Sequence, residues 1–295
     1  MLLLSFAYTL LSTFIVSYAL PALDSPTTGE VITSLPEAEI AKFRPYSYYA
    51  STGNCNPSLT RNWTCGTNCE ANPTFEPVAS GGDGDKVQFW FVGYDPTLDT
   101  VVVSHQGTDF SKIKPVLTDI DLDLRELDSG LFRGVSQSVK VHHGFRDAHA
   151  RAFTRSVFQH PVLKILSSFK DSSGAAIALL DSVFLALHLP NVVFKTVVYA
   201  MPRVGNQAFA NYVDEHLHDL RHINNKRDPV PILPGMFLGY HQPSGEIHIG
   251  DDDVWYVCPG QDNTSELCST GAVRDVLNSR PGDHVGPFNG AIMTC

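Results

Sequence analysis

The order of apolar and polar residues divides most of the chain into stretches of period two and stretches of period near 3.6. Val87-Gln-Phe-Trp-Phe-Val92 and Thr100-Val-Val-Val-Ser104 are apolar and β-branched. They predict two strands joined as a hairpin through Asp95-Pro96-Thr97, where proline presets the φ that the turn needs. Ile177, Leu180, Val183, Phe184 and Leu187 recur at helical spacing and predict a mostly buried helix over 174–189. Val192 to Tyr199 follows as a strand apolar on both faces, the pattern of a parallel sheet covered on both sides. Ala208 to Leu220 reads as a helix and His222-Ile-Asn224 as the start of another strand. Earlier in the chain, Ala38 to Tyr49 predicts a short helix interrupted at Pro45, and Phe145 to Phe169 is helix-permissive but broken or kinked at Pro161. This alternation of strand and helix gives the α/β class.

Composition narrows the setting. At 295 residues the chain fits one large α/β domain, and its formal charge of -10 opposes binding to phosphate backbones, so nucleic acid is not an expected partner. Met1 to Leu20 is almost wholly apolar or small, and Ser17-Tyr-Ala19 has the small residues that precede signal cleavage. A signal peptide over 1–19, a polar leader over 20–37 and one domain over 38–295 is the resulting division. A membrane anchor is the competing assignment for the first stretch, because it approaches the ~20 residues that span a bilayer. Pro21 and the polar run behind it favour cleavage, which leaves no integral membrane span.

Six cysteines, an even number, then enter an oxidising compartment and are expected as disulfides. Neither Cys65-x-x-x-Cys69 nor Cys258 to Cys268 is matched by a second doublet at zinc spacing, so no metal is expected. Asn62-Trp-Thr and Asn263-Thr-Ser are glycosylation acceptors beside those cysteines. Gly81-Gly-Asp-Gly-Asp85 has the look of a calcium loop, but the twelfth position from Asp83 is Tyr94 and not a glutamate, so it reads as a turn.

Asp228, in Arg227-Asp-Pro-Val-Pro231, follows a predicted strand. It is either a carboxylate at the ligand-binding edge of an open sheet or an ordinary Asp-Pro turn. His105-Gln-Gly-Thr-Asp109, His143-Gly-Phe145, Tyr199-Ala-Met-Pro-Arg-Val-Gly-Asn206, Asn225-Lys-Arg-Asp-Pro-Val-Pro231 and Asp283-His-Val-Gly-Pro287 occur in the order seen in the class 3 fungal lipases. The chain resembles that family from about Phe43 to Cys295. The resemblance implies an α/β-hydrolase with a central, mostly parallel sheet flanked by helices. It further implies secreted hydrolysis of carboxylic esters, usually acylglycerols, at a lipid–water interface, without a cofactor. It assigns Asp228 as triad acid and His284 as base. Thr108 would give an oxyanion donor, and Phe110 to about Leu124 occupies the place of an amphipathic lid. It also pairs Cys55 with Cys295 and Cys65 with Cys69, which leaves Cys258 with Cys268. His248 is a rival base, but its surroundings resemble the strand that precedes the catalytic loop; His105, His142, His143, His222 and His241 read as structural.

The nucleophile motif departs from the family. An α/β-hydrolase needs Gly-x-Ser-x-Gly on a tight strand-to-helix turn, and no such motif occurs. In Lys170-Asp-Ser-Ser-Gly174, Ser172 stands at the nucleophile position and Ser173 at that of the second oxyanion donor, while Lys170 and Asp171 replace Gly-His. The apolar strand before the elbow is missing. Left unfilled, that gap would set two strands about twice the usual ~4.8 Å apart, each orphaned backbone group costing about 1 to 3 kcal/mol. Val162 to Leu166 is one candidate to fill it, which would bring Ser167, Ser168, Ser172 or Ser173 near the turn. Three explanations follow, in order of preference: a gene model lacking an exon, a pseudoenzyme that binds lipid, and an enzyme using Ser172. Without a positioned nucleophile, activity several orders of magnitude below a normal lipase is expected. A non-enzymatic lipid carrier is the alternative from a different class, and a feruloyl-type or other soluble esterase is a further option within the enzymes.

Overall fold

The computed structural model of the protein describes residues 31–107, 122–155, 166–170 and 172–295. The expected signal peptide, Thr108 and the lid stretch through 121 lie outside these residues. The strands are β1 (Thr33–Ser34), β2 (Glu76–Gly81), β3 (Trp90–Asp95), β4 (Thr100–His105), β5 (Leu124–Glu126), β6 (Lys140–His142), β7 (Leu166–Lys170), β8 (Thr196–Tyr199), β9 (Gly205–Asn206), β10 (Leu220–Asn225), β11 (Tyr240–His241), β12 (Glu246–Ile249) and β13 (Trp255–Cys258). Nine of them form one sheet in the order β1-β13-β12-β10-β8-β7-β4-β3-β2, and a small second sheet runs β11-β9-β6-β5. The five central strands from β12 to β4 are parallel, with antiparallel strands at both edges.

The sheet is covered on both faces, and the alternation of its side chains decides which core each enters. Val101, Val103 and Val198 face a core built on helix α6 (Ser172–His188), whose residues Ala175 to Leu180 are all fully buried. Val197 and Tyr199 face the opposite core, with Ile223, Ile247, Trp255 and the helix residues Tyr46 and Ala50. A helix apolar all round is one buried on all sides, as the 174–189 pattern predicts.

Several expected boundaries move. The 38–49 helix is two helices, α1 (Glu37–Ala41) and α2 (Arg44–Thr52). The break falls at Lys42-Phe43, and Pro45 sits in the first turn of α2, where its missing N–H costs nothing. The polar leader is not wholly separate, since Thr33 and Ser34 pair with β13. Helices α3 (Pro57–Asn62) and α4 (Thr67–Glu70) occupy the cysteine-rich segment. Strand β3 starts three residues late and runs on to Asp95, and β2 has no clear alternation to announce it. Strand β8 is shorter than the run from Val192. Pro190 ends the preceding helix, Val192 N–H closes a turn onto Leu189 O at 3.0 Å, and Val193 is 89% exposed.

The largest correction concerns 145–169. Helix α5 (His143–Arg155) takes its first part, but Leu166 to Lys170 is a strand, four residues later than the Val162–Leu166 candidate. Strand β7 pairs with β4 through Val102↔Leu166 and Val103↔Ser167, and with β8 from Ser167↔Thr196 to Lys170↔Tyr199. The expected hole is filled. The unpaired edges of two central strands outweigh the weak intrinsic preference of Leu-Ser-Ser-Phe-Lys for any one conformation. Helix α7 (Gln207–His216) ends early because Leu220 belongs to β10. Helix α8 (Ser269–Ala272) follows the last disulfide.

Candidate active site

A central parallel strand followed at once by a helix is the setting in which a nucleophile can be aimed. Strand β7 ends at Lys170 and α6 begins at Ser172, with a single residue between them. The start of α6 carries the positive end of a helix dipole and backbone N–H groups without partners inside the helix. Gly174 sets how closely this first turn approaches β4: a methyl group there would stand 2.4 Å from the Gln106 carbonyl oxygen and 3.1 Å from Gly107 N. Only glycine allows that contact. On its other side Gln106 is held by the residue before β3, its N–H donating to Phe89 O at 2.6 Å while its side chain accepts from Phe89 N–H at 3.0 Å. The loop that leads to Thr108 therefore lies against the helix that begins with Ser172.

Asp228 and His284 come from two later loops and meet. His284 Nδ1 lies 2.9 Å from Asp228 Oδ2, and both side chains are buried. The turn that delivers Asp228 starts with Lys226 at a φ of 47°, and Asp228 Oδ1 accepts the Val230 N–H at 2.9 Å to open the 3-10 turn Val230–Ile232. The loop that delivers His284 is latched to the end of β10. Asn225 Nδ2 donates to Asp283 O at 2.9 Å, Arg227 N–H to Asp283 Oδ2 at 3.0 Å, and Arg280 N–H to Arg227 O at 2.7 Å. Two sequence-distant segments are thereby fixed at the C-terminal edge of the parallel strands, where open α/β sheets hold their ligands.

His248 is not placed as a base. It lies in β12 with Nδ1 and Nε2 each 2.8 Å from a carbonyl oxygen, of Leu267 and Lys226. A polar cleft of about 520 Å³ opens beside it, lined by Lys226, Arg227, Asp251, Tyr256 and Arg274, and includes neither Asp228 nor His284. Among the described residues no group of three or more His, Cys, Asp or Glu could hold a metal ion, and no helix is long and apolar enough to cross a membrane. All three disulfides are formed, Cys55–Cys295, Cys65–Cys69 and Cys258–Cys268. Asn62 is exposed at the end of α3, whereas Asn263 is half-buried with Nδ2 donating to Pro259 O at 2.9 Å.

Motif residues assigned no chemistry in the sequence also support the site. Arg203 is 2% exposed, pairs with Asp262 at 2.8 Å, and donates to the carbonyls of Ile232 and Pro234 in the segment after Asp228. A buried arginine with carbonyl partners from a distant loop leaves no periodic trace in a sequence.

A strand–turn–helix unit at mid-sheet, with a carboxylate and then a histidine delivered to the same edge by later loops, is the architecture of the α/β-hydrolases, and the chain has that fold. Residues 102–238 match the family model described as lipase (class 3). A secreted mono- and diacylglycerol lipase of Malassezia globosa is 35% identical over 61% of this chain and 66% of its own length. Another from the same fungus is 32% identical over 70% of this chain and 69% of its own. The chain thus matches about two thirds of the length of these relatives, and it belongs to the class 3 lipase family. The crystal structure of a Yarrowia lipolytica lipase aligns with a TM-score of 0.77 over 90% of this chain and 98% of its own; at 20% identity this is a likeness of fold.

Proposed function

We propose that the protein is a secreted ester hydrolase of acylglycerols, working at a lipid–water interface with Ser172 as nucleophile, His284 as base and Asp228 as acid. The observation that carries this reading is the β7–α6 junction, which starts a buried helix at Ser172 in the central slot of the sheet. The Asp228–His284 pair supports it from the other side of the reaction. In this mechanism His284 takes the Ser172 proton as the hydroxyl attacks the ester carbonyl, and Asp228 holds the imidazole through Nδ1–H and stabilises its charged form. The N–H groups of Ser173, at the helix start, and of Thr108 would receive the oxyanion. His284 then gives that proton to the leaving alcohol as the ester C–O bond breaks and the acyl group stays on Ser172. Water, deprotonated in turn by His284, attacks the acyl-enzyme and releases the fatty acid as His284 returns the proton to Ser172. The names of the relatives support mono- and diacylglycerols as substrates and secretion of the chain. A signal peptide over 1–19 and glycans on Asn62 and Asn263 belong to the same proposal and rest on the sequence alone.

The occupied slot weighs against a gene model that leaves a hole in the sheet. A second reading, an inactive lipid-binding relative, is favoured by one observation: Lys170-Asp171 stand where the family has Gly-His. The two separate under a fluorescent fluorophosphonate applied to the chain from Leu20 onward, with the labelled serine mapped by mass spectrometry. Labelling at Ser172 that is lost in Ser172→Ala and His284→Ala, but kept in Ser173→Ala, is the expected result. A folded, disulfide-bonded protein that takes no label would overturn the hydrolase reading. Turnover of dissolved short esters without activation by an emulsion would favour a soluble, feruloyl-type esterase.

A further inference from the structure

Three ionisable side chains that the proposed reaction does not use are buried together. His105 ends β4, His149 lies in α5 and Asp181 lies in α6. His105 Nε2 is 2.8 Å from Asp181 Oδ2 and His149 Nε2 is 2.9 Å from Asp181 Oδ1, with both imidazoles 1% exposed and the carboxylate 6%. Phe132 and Phe184 pack on the His149 ring. Burial pushes the Asp181 carboxyl up, but the hydrogen bonds from His105 and His149 outweigh it and hold the group well below the usual carboxylate range. A charge kept in such a place is costly, and apolar side chains of the same volume would stabilise a core at least as well. What a carboxylate adds is direction: Oδ2 is hydrogen-bonded to the His105 imidazole, Oδ1 faces the His149 imidazole at 2.9 Å, and the helix bearing it is fixed about its axis.

The consequence follows from where His105 sits. Strand β4 meets α6 at two levels, through the His105–Asp181 pair and through the Gln106 and Gly107 backbone against Gly174. We propose that His105 and Asp181 are positioning residues, the pair setting the Gln106–Gly107 loop against the first turn of the helix that begins with Ser172 so that the loop and the helix start keep one geometry. His149 reaches the other carboxylate oxygen from α5 and supports the fold. A donor displaced by about 1 Å can cost about 10²-fold in rate without weakening substrate binding.

The proposal rests on the hydrolase reading above, so its test has one arm that needs activity and one that does not. In active protein, Asp181→Asn should lower kcat on a water-soluble p-nitrophenyl ester, and the rate of fluorophosphonate labelling, about 10- to 100-fold at unchanged KM. His149→Gln should change kcat less than about threefold even where it lowers Tm as much. His105→Gln, which retains a donor, should keep more activity than His105→Leu. In active or inactive protein, Asp181→Asn should speed amide hydrogen exchange in peptides covering Gln106–Gly107 more than in β10. Wild-type protein that neither labels nor turns over ester would defeat the hydrolase reading alone. Unchanged kcat in Asp181→Asn, or in an inactive protein unchanged exchange at Gln106–Gly107, would overturn the positioning role. If Asp181→Asn does not fold, the two His105 variants give the same readouts.

Discussion

Asp228 uses its two carboxylate oxygens for different ends: Oδ1 caps a 3-10 turn through the Val230 N–H, and Oδ2 accepts from His284. The sequence leaves a turn and a functional carboxylate as alternatives at this position, and the geometry makes them one arrangement, since the cap aims the second oxygen. His222 is the contrasting case of a histidine held away from the site. It is 1% exposed in β10, its Nε2 donates to Pro243 O at 3.0 Å, and its Nδ1 has no hydrogen-bond partner among the described residues. Burial lowers its pKa from the ordinary 6.5, against the opposing pull of the Glu246 charge and the Pro243 carbonyl. A base whose folded pKa is depressed is neutral in the folded protein over a range where the unfolded chain takes the proton. Its contribution is therefore complete above about pH 6.5 and is lost as pH falls toward the folded value, at no more than about 1.4 kcal/mol per pH unit. Urea unfolding at pH 7 and pH 5 should show a smaller loss in His222→Gln than in wild type; equal losses would show that His222 does not carry the effect.

At the scale of elements, the legible parts were those whose own residues decide their structure. Val101 to Val103, the apolar face of α6 and Ile223 in β10 carry their periodicity on the surface of the sequence. Strand β7 does not, because Ser167 and Ser168 break any apolar alternation and its pairing is imposed by β4 and β8. Motif order, and not periodicity, pointed to Asp228, His284 and the position of Ser172. Periodicity could not reach the buried contacts of Arg203 and Asp181, which join residues far apart in the chain. The turn between β7 and α6 is where sequence and proposed chemistry conflict most. The family's glycine before the nucleophile relieves a strained elbow, and the sequence here has Lys170 and Asp171 in place of Gly-His. Restoring the motif tests this: Lys170→Gly with Asp171→His should raise esterase turnover about tenfold or more without changing KM. Unchanged turnover in a stably folded double variant would mean that the elbow sequence is not what limits the proposed activity.

At the scale of the molecule, the two ends of the described chain close around the sheet and bear on the site. Phe43, Tyr46 and Ala50 share a core with Phe288 and Met293, Ser51 Oγ donates to Ile292 O at 2.6 Å, and Asn68 Nδ2 donates to Thr294 O at 2.8 Å. Cys55–Cys295 locks this closure across a sequence separation of 240, whereas Cys65–Cys69 closes a separation of only 4. By loop-closure entropy the first bridge should stabilise the fold by about 5 kcal/mol and the second by about 2 kcal/mol. The first also has a route to His284, since Met293 N–H donates to Val285 O at 2.9 Å, next to the histidine. Replacing Cys55 and Cys295 with alanine should lower the guanidinium midpoint more than replacing Cys65 and Cys69. In the proposed hydrolase it should also slow labelling of Ser172 at temperatures where the fold is still intact, because the loop bearing His284 loses its anchor before the sheet melts. Equal midpoints for the two double variants would refute the entropic ranking, and normal labelling in a destabilised Cys55→Ala/Cys295→Ala protein would show that the terminal clasp holds the fold but not the base.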